Sequence, residues 1–166
     1  FAEKAHAGQF RKYTGDPYII HPASVVDLVK TVPHNEAMIA AAWLHDTVED
    51  TSLTIERIVS KFGLVVAVMV ENLTDVSRPE HGNRKKRKAI DLEHIANAFP
   101  AAKTIKLADL IDNTRSIVRH DPAFARVYLE EKAALLEVLQ EGDQNLYRLA
   151  QQTLREAQEL LKGRGE

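Results

Sequence analysis

The chain has 166 residues, of which 45% are hydrophobic and 28% charged, with a formal net charge of −2 and no cysteine. That length supports one domain with a substantial core, and the composition is that of an ordinary globular protein. The slight acidity argues against a general nucleic-acid binder, the missing cysteines exclude disulfides, thiolate metal sites and cysteine nucleophiles, and no apolar stretch approaches membrane-spanning length. A cytoplasmic setting fits, since no signal-peptide pattern is visible. The chain begins at Phe1 without an initiator Met, in text like the later part of a helix, so a few native residues are expected before it.

In chain order, helical periods dominate and nothing reads as a strand. Residues 1–8 form a helix ending near Gly8. Residues 9–21 are irregular, with turn signals at Thr14-Gly15-Asp16-Pro17. Pro22 suits the first position of a helix running to about Val32. Asn35 caps a helix over 36–49, and Thr54 caps a short one ending at Gly63, with Leu53 and Ile58 spaced as a hydrophobic staple. Residues 64–73 follow as another apolar helix, and Asp75 to Gly82 as a polar loop. Helices over 84–98 and 101–119 are separated by Pro100. Asp121-Pro122 opens a helix to about Gln140, and Asp143 caps a last one ending before Gly163. The expectation is an all-α fold of about eight helices. It forms one domain over 1–166, with a motif-bearing core 1–120 and C-terminal helices 121–162.

The most informative stretch is 43–51, Trp-Leu-His-Asp-Thr-Val-Glu-Asp-Thr, which continues the apolar run Ala37 to Leu44. Carboxylates on a greasy helix are costly unless paired or bound to a cation. On a continuous helix Glu49 lies one turn past His45, and Asp50 one turn past Asp46. His45 and Asp46 are about 100° apart around such a helix, so both touch one ion only over the edge between them. Further ligands must come from elsewhere. His21 is one candidate, oriented by Pro22, although it can instead cap the helix or pack beneath Tyr18. Asp109, on a buried helix and sharing a face with Asn113, is another, although an ion pair with Lys106 is the alternative. Together these are two imidazoles and two carboxylates from three segments. Such mixed ligands suit Mn²⁺, Fe²⁺, Zn²⁺ or Mg²⁺, and spacing does not choose among them. An ion there would acidify a water and polarise a phosphoryl oxygen, with Glu49 and Asp50 placed for proton transfer. Arg11 and Lys12 lie near His21 in sequence, and Arg84, Arg87 and Lys88 share a helix face that can meet a polyphosphate, although a solvated face or a nucleic-acid patch is the usual meaning of such a basic run.

These segments resemble the hydrolase domain of RelA/SpoT-type proteins, within the HD-domain phosphohydrolase superfamily. The matching text is Ala5 to Lys12, Gly15 to Pro22, Leu44 to Thr51, and Lys106-Leu107-Ala108-Asp109 followed by Asn113 and Arg115. The short chain is similar in organisation to the metazoan SpoT homologues. The resemblance implies a helical HD fold and a Mn²⁺ ion held by His21, His45, Asp46 and Asp109. It implies hydrolysis of the 3′-pyrophosphate of (p)ppGpp to GDP or GTP and pyrophosphate. Glu49 and Asp50 match the acidic catalytic pair, Arg11 the arginine packed on the purine, Lys12 a neighbour of purine or phosphates, and Asn113 a residue near ribose and metal. Tyr128 corresponds to a nucleotide-contacting tyrosine. The usual Leu-Ala-Asp-Arg-Leu-His-Asn pattern is here Leu107 to Asn113 with Asp112 at the histidine position, and the segment 72–88 also departs. Base preference is therefore open, with (p)ppApp 3′-pyrophosphohydrolase or NADPH 2′-phosphatase as alternatives. The expected partner is a small nucleotide, not nucleic acid or membrane, and a homodimer is compatible with the chain.

Overall fold

A computed structural model describes residues 1–163. Their helices are α1 (Ala2–Ala5), α2 (Ile20–Val29), α3 (Glu36–Leu44), α4 (Thr47–Asp50), α5 (Ile55–Phe62), α6 (Leu64–Leu73), α7 (Arg84–Ala96), α8 (Pro100–His120), α9 (Pro122–Val138) and α10 (Gln144–Gly163). A 3₁₀ turn at Pro79–His81 lies within the expected polar loop. The described residues contain no strand, only an isolated bridge between Phe10 and Pro17, so the fold is all-α.

Local chemistry explains where most helices start. Asn35 Oδ1 accepts from the Met38 amide at 2.9 Å, and Thr54 Oγ1 from Arg57 at 3.4 Å. Asp121 Oδ1 accepts from Phe124 at 3.1 Å, and Asp143 Oδ1 from Asn145 and Leu146 at 2.8 and 3.1 Å. Each bond satisfies an amide that the first turn leaves without an intrahelical partner. Pro100 is not a spacer but the first residue of α8, where its missing N–H costs nothing. Pro22 sits third in α2 rather than first, still among the amides that a helix start leaves free. The expected helix 1–8 shortens to α1, and the chain turns through Gly8 at a φ of 80° that glycine adopts without strain.

The helix expected over 36–49 is cut at His45-Asp46, giving α3 and α4. Asp46 takes φ −95° and ψ −5°, at the edge of the helical region. His45 Nδ1 donates to the Ala42 carbonyl at 2.8 Å, and Thr47 Oγ1 to the Leu44 carbonyl at 2.7 Å. Side chains thus bind carbonyls that a continuous helix reserves for its own amides. Helical pairing resumes at once, with the Asp50 amide on the Asp46 carbonyl at 2.9 Å. This interruption turns one expected helix into two.

α8 is the central element. Ile105, Leu107, Ala108, Leu110 and Ile111 are fully buried in succession, so this helix is apolar nearly all round. It packs against α2, α3, α6, α9 and α10. The buried Asp109 therefore sits in the middle of the core, facing α2 and the α3–α4 break.

Candidate metal centre and the adjoining cavity

Three segments deliver polar groups to one buried point. The start of α2 brings His21, the α3–α4 break brings His45 and Asp46, and the middle of α8 brings Asp109. His21 and His45 are 1% exposed and Asp109 4%, while Asp46 is half-buried. His21 Nε2 lies 3.2 Å from Asp109 Oδ1, 3.4 Å from Asp46 Oδ2 and 3.3 Å from His45 Nε2. His45 Nε2 lies 3.1 Å from Asp46 Oδ2 and 3.9 Å from Asp109 Oδ1. Ligand atoms of His21, His45 and Asp46 all fall within 4.8 Å of one another. The four residues expected as ligands are thus brought together.

The donor set fits a divalent cation. His45 Nδ1 is occupied by the Ala42 carbonyl, an obligate acceptor, and His21 Nδ1 meets Asp112 Oδ2 at 2.6 Å. With both Nδ1 atoms donating, a neutral ring presents a lone pair at Nε2. Two such lone pairs then face two carboxylates, an arrangement that repels itself unless positive charge sits between them. Protons are the alternative source of that charge. Burial opposes a charged His21, yet Asp109, Asp112 and Asp46 overcome it and push its pKa up to about 11. His45 is raised in the same way, against burial, by Asp46 and Asp109. Asp46 and Asp109 are held well below the usual carboxylate range despite burial, Asp46 by His45 and His21, and Asp109 by Lys106 and the same imidazoles. The pocket is built to concentrate positive charge, which a divalent ion supplies while leaving both imidazoles neutral.

Several residues beyond the four hold this centre. The Tyr18 hydroxyl donates to Asp46 Oδ2 at 2.6 Å, so burial and Asp46 hold the phenol protonated. Asn113 Nδ2 donates to Asp109 Oδ1 at 2.6 Å, and Lys106 Nζ pairs with Asp109 Oδ2 at 2.9 Å. The Lys106 pair weighed as an alternative role for Asp109 therefore coexists with the other, one carboxylate oxygen serving each. Arg11 reaches Asn113 Oδ1 at 3.3 Å and Asp112 Oδ2 at 3.2 Å. Sequence reasoning gave no role to Asp112, and weighed Lys106 only as an ion-pair partner of Asp109 and Tyr18 only as a packing partner of His21. The available signal for Asp112 was its place three residues after Asp109, which puts both on one helix face.

Glu49 and Asp50 stand at the mouth of the site. Glu49 Oε2 accepts from the Asp75 amide at 3.2 Å, and the Asp50 carbonyl accepts from Gln9 Nε2 at 2.7 Å. Both residues meet solvent, yet protein crowds the Glu49 carboxyl on its inner side. Partial burial first, then Asp75, raise it to about 7 against the pull of Lys106. Asp50 is also raised, by burial and by Asp46.

The expected nucleotide contacts divide. Asn113 bonds Asp109 directly and Arg11 reaches the centre through Asn113 and Asp112, whereas Lys12 is 76% exposed and lies 3.9 Å from Asp121. Tyr128 is buried, with no hydrogen-bond partner at its hydroxyl among the described residues. A cavity of about 590 Å³ opens between the end of α6, α7 and α9, with Lys106 of α8 in its wall. Arg84 and Lys88 line it but are already engaged, Arg84 with Glu131 at 2.6 and 2.8 Å and Lys88 with Asp75 at 2.6 Å. Arg87 does not line this cavity, and its Nε is buried without a hydrogen-bond partner among the described residues. Of the three basic residues expected on one face, Arg84 and Lys88 thus line the cavity, with Lys85 beside them.

Comparison with known proteins agrees with this geometry. An HD domain family model matches residues 1–140. The chain is 37% identical over 125 residues to the guanosine-3′,5′-bis(diphosphate) 3′-pyrophosphohydrolase MESH1 of Danio rerio, covering 74% of this chain and 68% of that one. It is 38% identical over 120 residues to the probable guanosine-3′,5′-bis(diphosphate) 3′-pyrophosphohydrolase of Synechocystis sp., covering 70% of this chain but only 16% of that longer protein. Among solved structures, a metazoan ortholog of SpoT that hydrolyzes ppGpp superposes with a TM-score of 0.83 at 29% identity, over 93% of this chain and 90% of that one.

Proposed function

The chain belongs to the HD domain family and, within it, to the RelA/SpoT-type alarmone hydrolases; from that premise we propose that it removes the 3′-pyrophosphate of (p)ppGpp, with Mn²⁺ as its ion. The observation that carries this reading is the meeting of His21, His45, Asp46 and Asp109 at one buried point, with Glu49 and Asp50 at its mouth. We assign those four as the ligands and Glu49 and Asp50 as the acidic pair. Residues 1–166 then act as one hydrolase domain on a small nucleotide in the cytoplasm.

When bound, the divalent ion supplies Lewis-acid polarisation and a lowered pKa for water. Asp112 and the Ala42 carbonyl hold the two imidazoles by Nδ1, leaving Nε2 of each as the atom that would bind the ion. Tyr18 and Asn113 orient the Asp46 and Asp109 carboxylates. Glu49 takes the proton of the attacking water, whose oxygen bonds to the phosphorus next to the 3′ oxygen. The O3′–P bond breaks, its electron pair stays on O3′, and O3′ then takes a proton. The products are GDP or GTP and pyrophosphate. In this reading Arg11, Lys12, Asn113 and Tyr128 contact the nucleoside side, the exposed Lys12 and the buried Tyr128 shifting to do so, and Arg84 and Lys88 contact the phosphates once substrate displaces Glu131 and Asp75.

The test is turnover of ppGpp, ppApp and NADPH in parallel by the Mn²⁺-loaded protein. We expect ppGpp to be consumed fastest, with pyrophosphate released. Turnover of ppApp or NADPH alone would transfer the same site to that substrate. His21→Ala and Asp46→Ala should each abolish turnover and metal retention, and full activity in either would refute the ligand assignment.

A further inference from the structure

The cavity beside the metal centre contains an ammonium group that the reaction above does not use. Lys132, on α9, lines the cavity together with Lys106 of α8. Among the described residues no carboxylate lies within ion-pair distance of Lys132, and its Nζ rests over the Tyr128 ring at 5.0 Å. Of the other lysine and arginine side chains lining the cavity, Lys85 is solvent-exposed and three are paired. Lys106 is paired with Asp109 at 2.9 Å, Arg84 with Glu131 and Lys88 with Asp75. Burial, then the charges of Lys106 and Lys88, push Lys132 down to about 8 against the weaker opposing pull of Asp109 and Asp75. A half-buried cation set beside another cation is unfavourable unless an anion joins them. The cavity, at about 590 Å³, has room for one.

Position identifies the anion. Lys106 touches Asp109 from behind, so this wall begins one side chain away from the candidate ligands. We propose that Lys132 and Lys106 form a diphosphate-binding position, and that it receives the outer phosphate of the 3′-diphosphate as the O3′–P bond breaks. The choice of that diphosphate rests on the activity proposed above. The existence of the position rests only on the cavity and its two lysines. In this arrangement Lys106 offsets charge near the reacting phosphorus, and Lys132 holds the departing group in a bidentate manner with it.

The experiment titrates inorganic pyrophosphate calorimetrically into the Mn²⁺-loaded wild type, Lys132→Met and Lys132→Arg. Methionine keeps the apolar stem and its contact with Tyr128, so the fold and Mn²⁺ affinity should be retained, which thermal melting and Mn²⁺ titration verify. We expect pyrophosphate to bind about tenfold more weakly to Lys132→Met, with most of the affinity restored in Lys132→Arg. In the wild type, NMR should show the Lys132 ammonium moving up from about 8 toward the ordinary lysine range when pyrophosphate is added. Undiminished pyrophosphate binding in Lys132→Met would overturn the proposal. A parallel GDP titration separates the sources: weakened GDP binding with unchanged pyrophosphate binding would assign the position to the 5′-diphosphate and overturn the departing-group role. If pyrophosphate binding weakens as expected but ppGpp is not hydrolysed, the anion position stands and the activity reading falls.

Discussion

Asp112 is the residue whose role depends most on its neighbours. Its Oδ2 takes the His21 Nδ1 proton at 2.6 Å and the Arg11 guanidinium at 3.2 Å. A carboxylate in that position fixes the imidazole tautomer and raises the basicity of the opposite nitrogen. Asp112→Asn keeps the shape and removes the charge. Its Mn²⁺ affinity should fall about 10- to 100-fold, measured by metal titration. An unchanged affinity would leave Asp112 as only an anchor for Arg11. Glu49 makes a different argument. A base whose carboxyl sits near 7 is protonated below that pH and idle. We therefore expect kcat/KM to rise with pH along an acid limb with its midpoint at or below about 7, because bound Mn²⁺ adds positive charge that favours the carboxylate. Glu49→Gln should remove that limb and cost about 10²- to 10⁴-fold in kcat while keeping the metal. A limb that survives in the variant would move the proton-transfer role to Asp50. The same shift opposes folding. The folded carboxyl holds its proton to about 7 and the unfolded one only to 4.5, so this group's contribution is present at low pH and is lost as pH rises between those values.

At the scale of the helix, what was legible was local. Asn35, Thr54, Asp121 and Asp143 each cap the helix that their side-chain chemistry announces, because a cap acts within three residues. The break at His45-Asp46 was not legible, since an uninterrupted run of strong helix formers leads into it. Its cause is a set of side-chain bonds to carbonyls, and those matter only because His21 and Asp109 arrive opposite. Arg87 shows a related limit: shared helical spacing says which residues neighbour one another, not which of them reach the cavity that Arg84 and Lys88 line. Gly142, in the turn between α9 and α10, is another position with no local signal. A Cβ there would lie 2.8 Å from Leu107 Cδ1, 3.1 Å from the Thr104 amide and 3.2 Å from the Leu139 carbonyl. Two of those atoms are backbone, held by α8 and the end of α9, so the clash is not relieved by a rotamer change. Gly142→Ala should destabilise the fold by about 1–3 kcal/mol, seen as a fall of several degrees in Tm. No change in Tm would mean that the α9–α10 turn shifts freely away from α8.

Across the whole molecule, the motif text proved more informative than composition because it marks residues far apart in sequence that α8 gathers. His21 and Asp109 are joined by a 3.2 Å contact between Nε2 and Oδ1, and His45 lies on the far side of the same point. An ion bound there ties α2, the α3–α4 break and α8 together in the folded state, whereas the unfolded chain presents no such site. Binding to the folded state alone stabilises it by about 2.7 kcal/mol at an ion concentration 100 times the dissociation constant. For a chain of this size that corresponds to a Tm roughly 5–10 °C higher with Mn²⁺ than with a chelator. Asp109→Ala, His45→Ala and His21→Ala come from three different elements, and each should erase most of the metal-dependent rise. The common loss would separate a shared ion from three local weaknesses, since a residue that merely packs its own helix lowers Tm equally in metal and in chelator. Equal Tm values for the wild type in Mn²⁺ and in chelator would mean that no ion of consequence binds, and that protons on His21 and His45 alone balance the buried carboxylates.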